Sequence, residues 1–117
     1  MTVRRIVANI AADTIPAVRK FYADLFGLEV VMDLGWIVTL ASSETAVAQM
    51  SILSDGGSGA PVPALSIEVD NVDEVYRRAN EMGCKLIHDL TDEPWGVRRF
   101  FISDPTGKLL NVLSHRL

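Results

Sequence analysis

The chain has 117 residues, 49% of them hydrophobic and 22% charged, with a net charge of −4 and a pI near 5.0. That composition is ordinary for a soluble globular protein, the length suits one domain with a reasonable core, and an acidic balance without a basic cluster argues against nucleic-acid binding. Cys84 stands alone, the opening MTVRRIVANIAAD lacks the apolar core of a signal peptide, and no run approaches the roughly 18 apolar residues of a membrane span, so a cytoplasmic protein without membrane contact is expected.

From the N-terminus, Val3–Ala11 reads as a strand. Asp13 or Thr14 can cap a helix over Ile15–Phe26, Pro16 is tolerated in its first turn, and Gly27 fits the left-handed position that ends it. Ile15, Val18, Tyr22 and Leu25 recur at helical spacing and form one apolar stripe, widened by Phe21. Strand patterns follow over Leu28–Leu34, Trp36–Ser42 and Ala46–Leu53. Residues 56–63 are rich in Gly, Ser and Pro and read as an exposed linker.

Beyond the linker, Ala64–Val69 reads as a strand. Asn71 is a good cap for a helix over Val72–Met82, and Asp73 and Glu74 place negative charge at its positive dipole end. Its stripe is Val72, Val75, Tyr76, Ala79 and Met82, and Gly83 ends it. Strands over Lys85–Leu90, Val97–Ser103 and Leu109–Ser114 complete the chain. Asp104-Pro105-Thr106-Gly107 lies between the last two. Pro at the second position presets φ, and Gly at the fourth relieves crowding, so a β-turn joining antiparallel strands is expected.

The two halves repeat. Asn9-Ile10-Ala11-Ala12-Asp13 aligns with Ser66-Ile67-Glu68-Val69-Asp70, and Phe26-Gly27-Leu28-Glu29-Val30 aligns with Met82-Gly83-Cys84-Lys85-Leu86, at an offset of about 56 or 57 residues. The expected fold is α+β. One domain over residues 1–117 holds two βαβββ modules, 1–55 and 64–117, whose strands form a concave mixed sheet with the helices outside.

Four segments in this order resemble the vicinal oxygen chelate superfamily of glyoxalases, bleomycin-resistance proteins and extradiol dioxygenases. The first is Asp13, Ala17, Phe21, Tyr22, Phe26, Gly27, Leu28 and Glu29. The second is Val69-Asp70-Asn71-Val72-Asp73. The third and fourth are the paired aromatics Phe100-Phe101 and the Asp104–Gly107 turn leading to Asn111. The resemblance implies the paired βαβββ fold. It also implies a divalent metal held by inward His, Glu or Gln side chains, at positions that here carry Ile6, Gln49, Ala64 and Asn111. Ile6 and Ala64 have no ligating atom, and Gln49 and Asn111 are neutral amides that bind transition metals poorly without charged or imidazole partners. His88 and His115 belong to no metal-binding motif. No bound cofactor is therefore expected, although a divalent metal is not excluded.

By strand alternation, Asn111 shares a face with Leu109, Leu113 and His115. The resemblance adds Phe101 to that face with Arg99 beside it, turns Phe100 and Ile102 toward the helices, and puts Trp95 at the mouth of a cleft. Arg99 can meet an anionic ligand group or pair with an Asp or Glu. Trp36 and Met50 read best as core filling. The candidate ligand-binding residues are Phe101, Arg99, Asn111, Trp95, Gln49 and His115. No nucleophile motif or phosphate loop is present. Three functions fit: metal-free binding or sequestration of a small, drug-like or aromatic molecule, like the bleomycin-resistance proteins; a metal-dependent lyase, isomerase or dioxygenase; or a structural module without a ligand. The resemblance further implies a homodimer.

Overall fold

The structure is a computed structural model that describes residues 5, 7–46, 49 and 51–116. It is a mixed α+β chain divided into two compact units, Met1–Ser54 and Asp55–Leu117.

In the first unit, helix α1 spans Ile15–Phe26, with Pro16 in its opening turn. Gly27 ends it at φ 66°, its N–H bonded to the Ala23 carbonyl at 2.9 Å, a conformation that costs a residue with a Cβ about 1–2 kcal/mol. Tyr22 and Leu25 are its buried side chains. Strands β1 (Glu29–Asp33) and β2 (Val38–Ala41) pair antiparallel, with an irregularity between Val30 and Met32. The expected strands over Val3–Ala11 and Ala46–Leu53 are not seen: Arg5, residues 7–11, Ala46, Gln49 and residues 51–53 carry no strand, and the rest of both segments lies outside the described residues. An apolar pattern supplies a face but not a hydrogen-bonding partner, and a strand needs both. Trp36 is not core filling either. It sits in the β1–β2 turn, 76% exposed, where Leu34 N–H bonds the Ile37 carbonyl and Gly35 N–H bonds Asp33 Oδ1. Met50 lies outside the described residues.

The second unit is a complete βαβββ module. Its elements are β3 (Leu65–Glu68), α2 (Val72–Glu81), β4 (Lys85–Asp92), β5 (Val97–Ser103) and β6 (Leu109–His115). The sheet order is β3-β6-β5-β4; β3 runs parallel to β6 and the other pairs are antiparallel. Asn71 caps α2, its side chain accepting from Glu74 N–H at 3.2 Å. The second cap of the helix comes from outside it: Ser114 Oγ accepts from Val72 N–H and donates to the Val69 carbonyl. Val72, Val75 and Ala79 turn inward, and α2 lies against β5 and β6. There Phe100, Ile102, Leu110 and Val112 are sealed from solvent, each contributing about 1.5–3 kcal/mol through burial. The β5–β6 turn is as the sequence predicts, with Gly107 N–H bonded to the Asp104 carbonyl at 3.0 Å. Asp104 Oδ1 also accepts from the N–H groups of Thr106 and Lys108.

The glycine-rich segment is exposed at Ser58, Gly59, Pro61 and Val62 but packed at two points. Gly56 and Ala60 are buried, and the segment closes on itself through Gly56 N–H to the Ala60 carbonyl at 2.7 Å and Ala60 N–H to the Gly57 carbonyl at 3.0 Å.

Candidate functional site

The register of the four-stranded sheet sorts its side chains onto two faces. Phe100, Ile102, Leu110 and Val112 alternate toward α2. On the opposite face, His88, Phe101, Asn111 and Ser66 fall in one row across β4, β5, β6 and β3. The next row holds Thr91, Arg99, Leu113 and Glu68, and beyond it Val97 lies opposite His115. Phe101, Arg99, Asn111 and His115 therefore share a face. Gln49 does not belong to this unit; it is exposed and lies outside any strand.

Arg99 organises the centre of the face. It is only 3% exposed, and its partner Glu93 is 5% exposed. Glu93 Oε2 accepts from Arg99 Nε at 2.7 Å and is also paired with Nη2. The remaining donors reach back to the glycine-rich segment, Nη1 to the Gly56 carbonyl at 2.6 Å and Nη2 to the Gly57 carbonyl at 3.1 Å. Of the two readings of Arg99, the structure has the internal ion pair. Its charge is neutralised and its donors are engaged, as burial of a guanidinium requires. The guanidinium is also stacked between two rings, 4.9 Å from Trp95 and 4.7 Å from Phe101. Phe101 has no exposed surface, so it is a floor beneath the face rather than a wall open to a ligand.

Trp95 is different. It sits in the Glu93–Gly96 turn between β4 and β5, closed by Gly96 N–H to the Glu93 carbonyl, and is 50% exposed. Its inner edge rests where a side chain on Gly57 would stand, since a Cβ there would lie 2.8 Å from the ring. Asn111 donates from Nδ2 to Ser66 Oγ at 3.1 Å, while its Oδ1 is buried without a partner among the described residues. A hydroxyl can donate or accept, so either placement of the amide leaves one open hydrogen-bonding position. His115, at the exposed end of the face, meets Glu68 Oε2 through Nδ1 at 2.8 Å.

Sequence reading passed over two residues of this cluster. His88 lies within β4, inside the strand expected over Lys85–Leu90, with its ring 5.3 Å from Phe101 and Nε2 buried without a hydrogen-bond partner among the described residues. Glu93 is the buried counter-ion. The available signal was the tight Glu93–Gly96 turn: residues flanking a hairpin become cross-strand neighbours, which brings Glu93 to the strand carrying Arg99.

The model of the Glyoxalase/Bleomycin resistance protein/Dioxygenase superfamily matches residues 4–112. The chain belongs to this superfamily. Three solved structures share its fold. One is TnmS3, an antibiotic-binding protein from Streptomyces sp. CB03234 (18% identity, 98% of this chain and 96% of that one, TM-score 0.67). The second is TioX from Micromonospora sp. ML1 (17% identity, 96% of each chain, TM-score 0.64). The third is lactoylglutathione lyase from Agrobacterium tumefaciens (20% identity, 97% and 92%, TM-score 0.65). At these identities the likeness is one of fold. No curated protein matches this sequence.

The superfamily's divalent metal does not fit the residues described. Ala64 offers no ligand atom, Asn111 is a neutral amide engaged with Ser66, Gln49 stands outside the strands, and Ile6 lies outside the described residues. Among the described residues, no group of three or more His, Cys, Asp or Glu side chains converges as a metal site. Nor is any helix among them long and apolar enough to cross a membrane.

Proposed function

We propose that this superfamily member binds and sequesters a small aromatic or drug-like molecule without a metal, on the sheet face opposite α2, and performs no chemistry on it. The observation that carries this reading is the half-exposed Trp95 ring beside a face on which the buried Asn111 Oδ1 has no hydrogen-bond partner among the described residues. An exposed aromatic surface with a few placed polar groups suits binding of a planar ligand. The occupied donors of Arg99 argue that the ligand is not held there through an anionic group. Glu68, Ser66 and His115 supply the polar margin. The antibiotic-binding neighbour gives the same reading a precedent on this fold.

The protein is further proposed to act in the cytoplasm as a homodimer, with residues 1–55 and 64–117 working as the two modules of one domain. Exposed Val31, Leu34 and Trp36 on the first unit are the apolar surface that favours association.

Trp95 emission tests the binding reading. In a Trp36→Phe background, planar aromatic compounds are titrated with and without chelator. Saturable quenching that is insensitive to chelator, and weakened at least tenfold by Asn111→Leu together with Trp95→Leu read by calorimetry, is the expected result. A stoichiometric metal in the purified protein, or quenching that needs one, would sink the metal-free reading.

A further inference from the structure

One buried carboxylate oxygen is contested. Glu93 Oε2 is bonded to Arg99, and His88 Nε2 lies 3.6 Å from the same oxygen with no hydrogen-bond partner among the described residues. That separation is beyond a hydrogen bond. A small rotation of either side chain would make one, provided the imidazole carries a proton on Nε2, as both ring nitrogens do in the cation. Arg99 meanwhile ties two carbonyls of the glycine-rich segment to the sheet. The segment is tightly closed on itself, since a Cβ on Gly56 would lie 2.1 Å from the Pro61 carbonyl oxygen, and it is fitted against Trp95, which a Cβ on Gly57 would meet. Glu93, Arg99, residues 56–57 and Trp95 thus form a latch, with Glu93 at its base.

We propose that His88 is a proton-operated release for this latch. On gaining a proton the imidazole competes with Arg99 for Glu93 Oε2, and the second cation repels the guanidinium that faces the same Phe101 ring. The guanidinium loses part of its anchor, and the Gly56–Gly57 segment and Trp95 loosen together. The groups facing His88 are Glu93 at the end of β4, and Phe101 and Arg99 on β5. Asp89, its neighbour in β4, is bonded to the Tyr76 hydroxyl and to Leu90 N–H, and feels the His88 charge only as a minor influence. His115, the other imidazole of this unit, is paired with Glu68 on β3. The consequence for ligand access at Trp95 rests on the binding reading above; the latch itself does not.

The test uses no ligand, so its failure is separable from failure of the binding reading. The Trp36→Phe protein, whose remaining tryptophan is Trp95, is taken from about pH 8 to pH 5, the range in which imidazoles titrate, and quenched with acrylamide. The expected result is a one-proton rise in quenching on acidification, abolished by His88→Gln and retained by His115→Gln. A flat response overturns the proposal, as does a transition that survives His88→Gln. Should His88→Gln fail to fold, the His88 ring and the Trp95 indole N–H are followed by NMR in the parent protein. A shared midpoint supports the release, and separate midpoints overturn it.

Discussion

The two halves of this chain begin from nearly the same pattern and, among the described residues, reach different degrees of completion. Residues 55–117 close a βαβββ module in which β5 is shielded on both faces: Phe100 and Ile102 by α2, Phe101 by Arg99 and His88. Among the described residues of 1–54 there are one helix and a two-stranded hairpin, and all five residues of β1 are exposed, Val30, Val31 and Met32 among them. The difference lies less in hydrophobicity than in partners. A central strand gains two ladders and two covered faces, whereas each strand of the β1–β2 hairpin has one ladder among the described residues. Each half also carries an ion pair between elements or across a turn, and these pairs mark the same contrast. Arg99–Glu93 is buried and multiply bonded. Arg19–Asp33, which ties α1 to β1, is exposed and long at 3.4 Å.

Removing one arginine from each half breaks that comparison most sharply. Arg99→Met strands a buried carboxylate and two glycine carbonyls, so it should cost about 3–5 kcal/mol in urea unfolding. Adding Glu93→Leu should restore a substantial part, because no unpaired charge then remains. Arg19→Met should cost between about 0 and 1 kcal/mol. If the two single variants were equally harmful, the second half would not depend on its buried pair.

What the sequence made legible was local. Both helices, their glycine stops and the Asp104–Gly107 turn are written in neighbouring residues, because caps and turns are interactions over a few positions. Alternation along β5 likewise separates Phe101 from Phe100 and Ile102. What escaped was tertiary. No pattern around Arg99 announces that its donors go to Gly56 and Gly57, more than forty residues away. Trp36 carries the volume of a core residue but sits on a turn, mostly exposed. Val3–Ala11 and Ala46–Leu53 show how an apolar alternation can be read as a strand before any ladder partner is known.

The two helix starts offer a smaller contrast. In α2 the Asn71 side chain takes the Glu74 N–H, whereas Thr14 at the start of α1 makes no side-chain capping bond. Asn71→Ala should therefore cost about 1 kcal/mol, and Thr14→Ala only a few tenths. Paired thermal unfolding curves check this. A Thr14→Ala cost equal to that of Asn71→Ala would mean that α1 is capped in solution as α2 is.

The smallest effect separates a bond between two elements from a bond within one. In the second half the Tyr76 hydroxyl donates to Asp89 Oδ1 at 2.6 Å, joining α2 to β4. In the first, Lys20 meets Asp24 at 2.7 Å inside α1. The Tyr76 bond holds the Asp89 carboxyl below the usual aspartate range and raises the Tyr76 hydroxyl above its own. A depressed carboxyl lends stability that is present above its unfolded value, about 3.9, and is lost as pH falls through the folded one. A raised phenol lends stability that is present below its unfolded value, about 10, and is lost as pH rises through the folded one. Tyr76→Phe keeps the ring edge against Phe100, 5.2 Å between centroids, and removes only the hydroxyl. The variant should therefore melt slightly below the parent at neutral pH, and the gap should shrink toward both acid and strong alkali. In an NMR titration the Asp89 midpoint should move upward while staying below the ordinary range, because Leu90 N–H still donates to it. A melting gap as wide in acid as at neutral pH would mean that Tyr76 acts through its ring packing alone, and that the α2–β4 junction owes nothing to the bond.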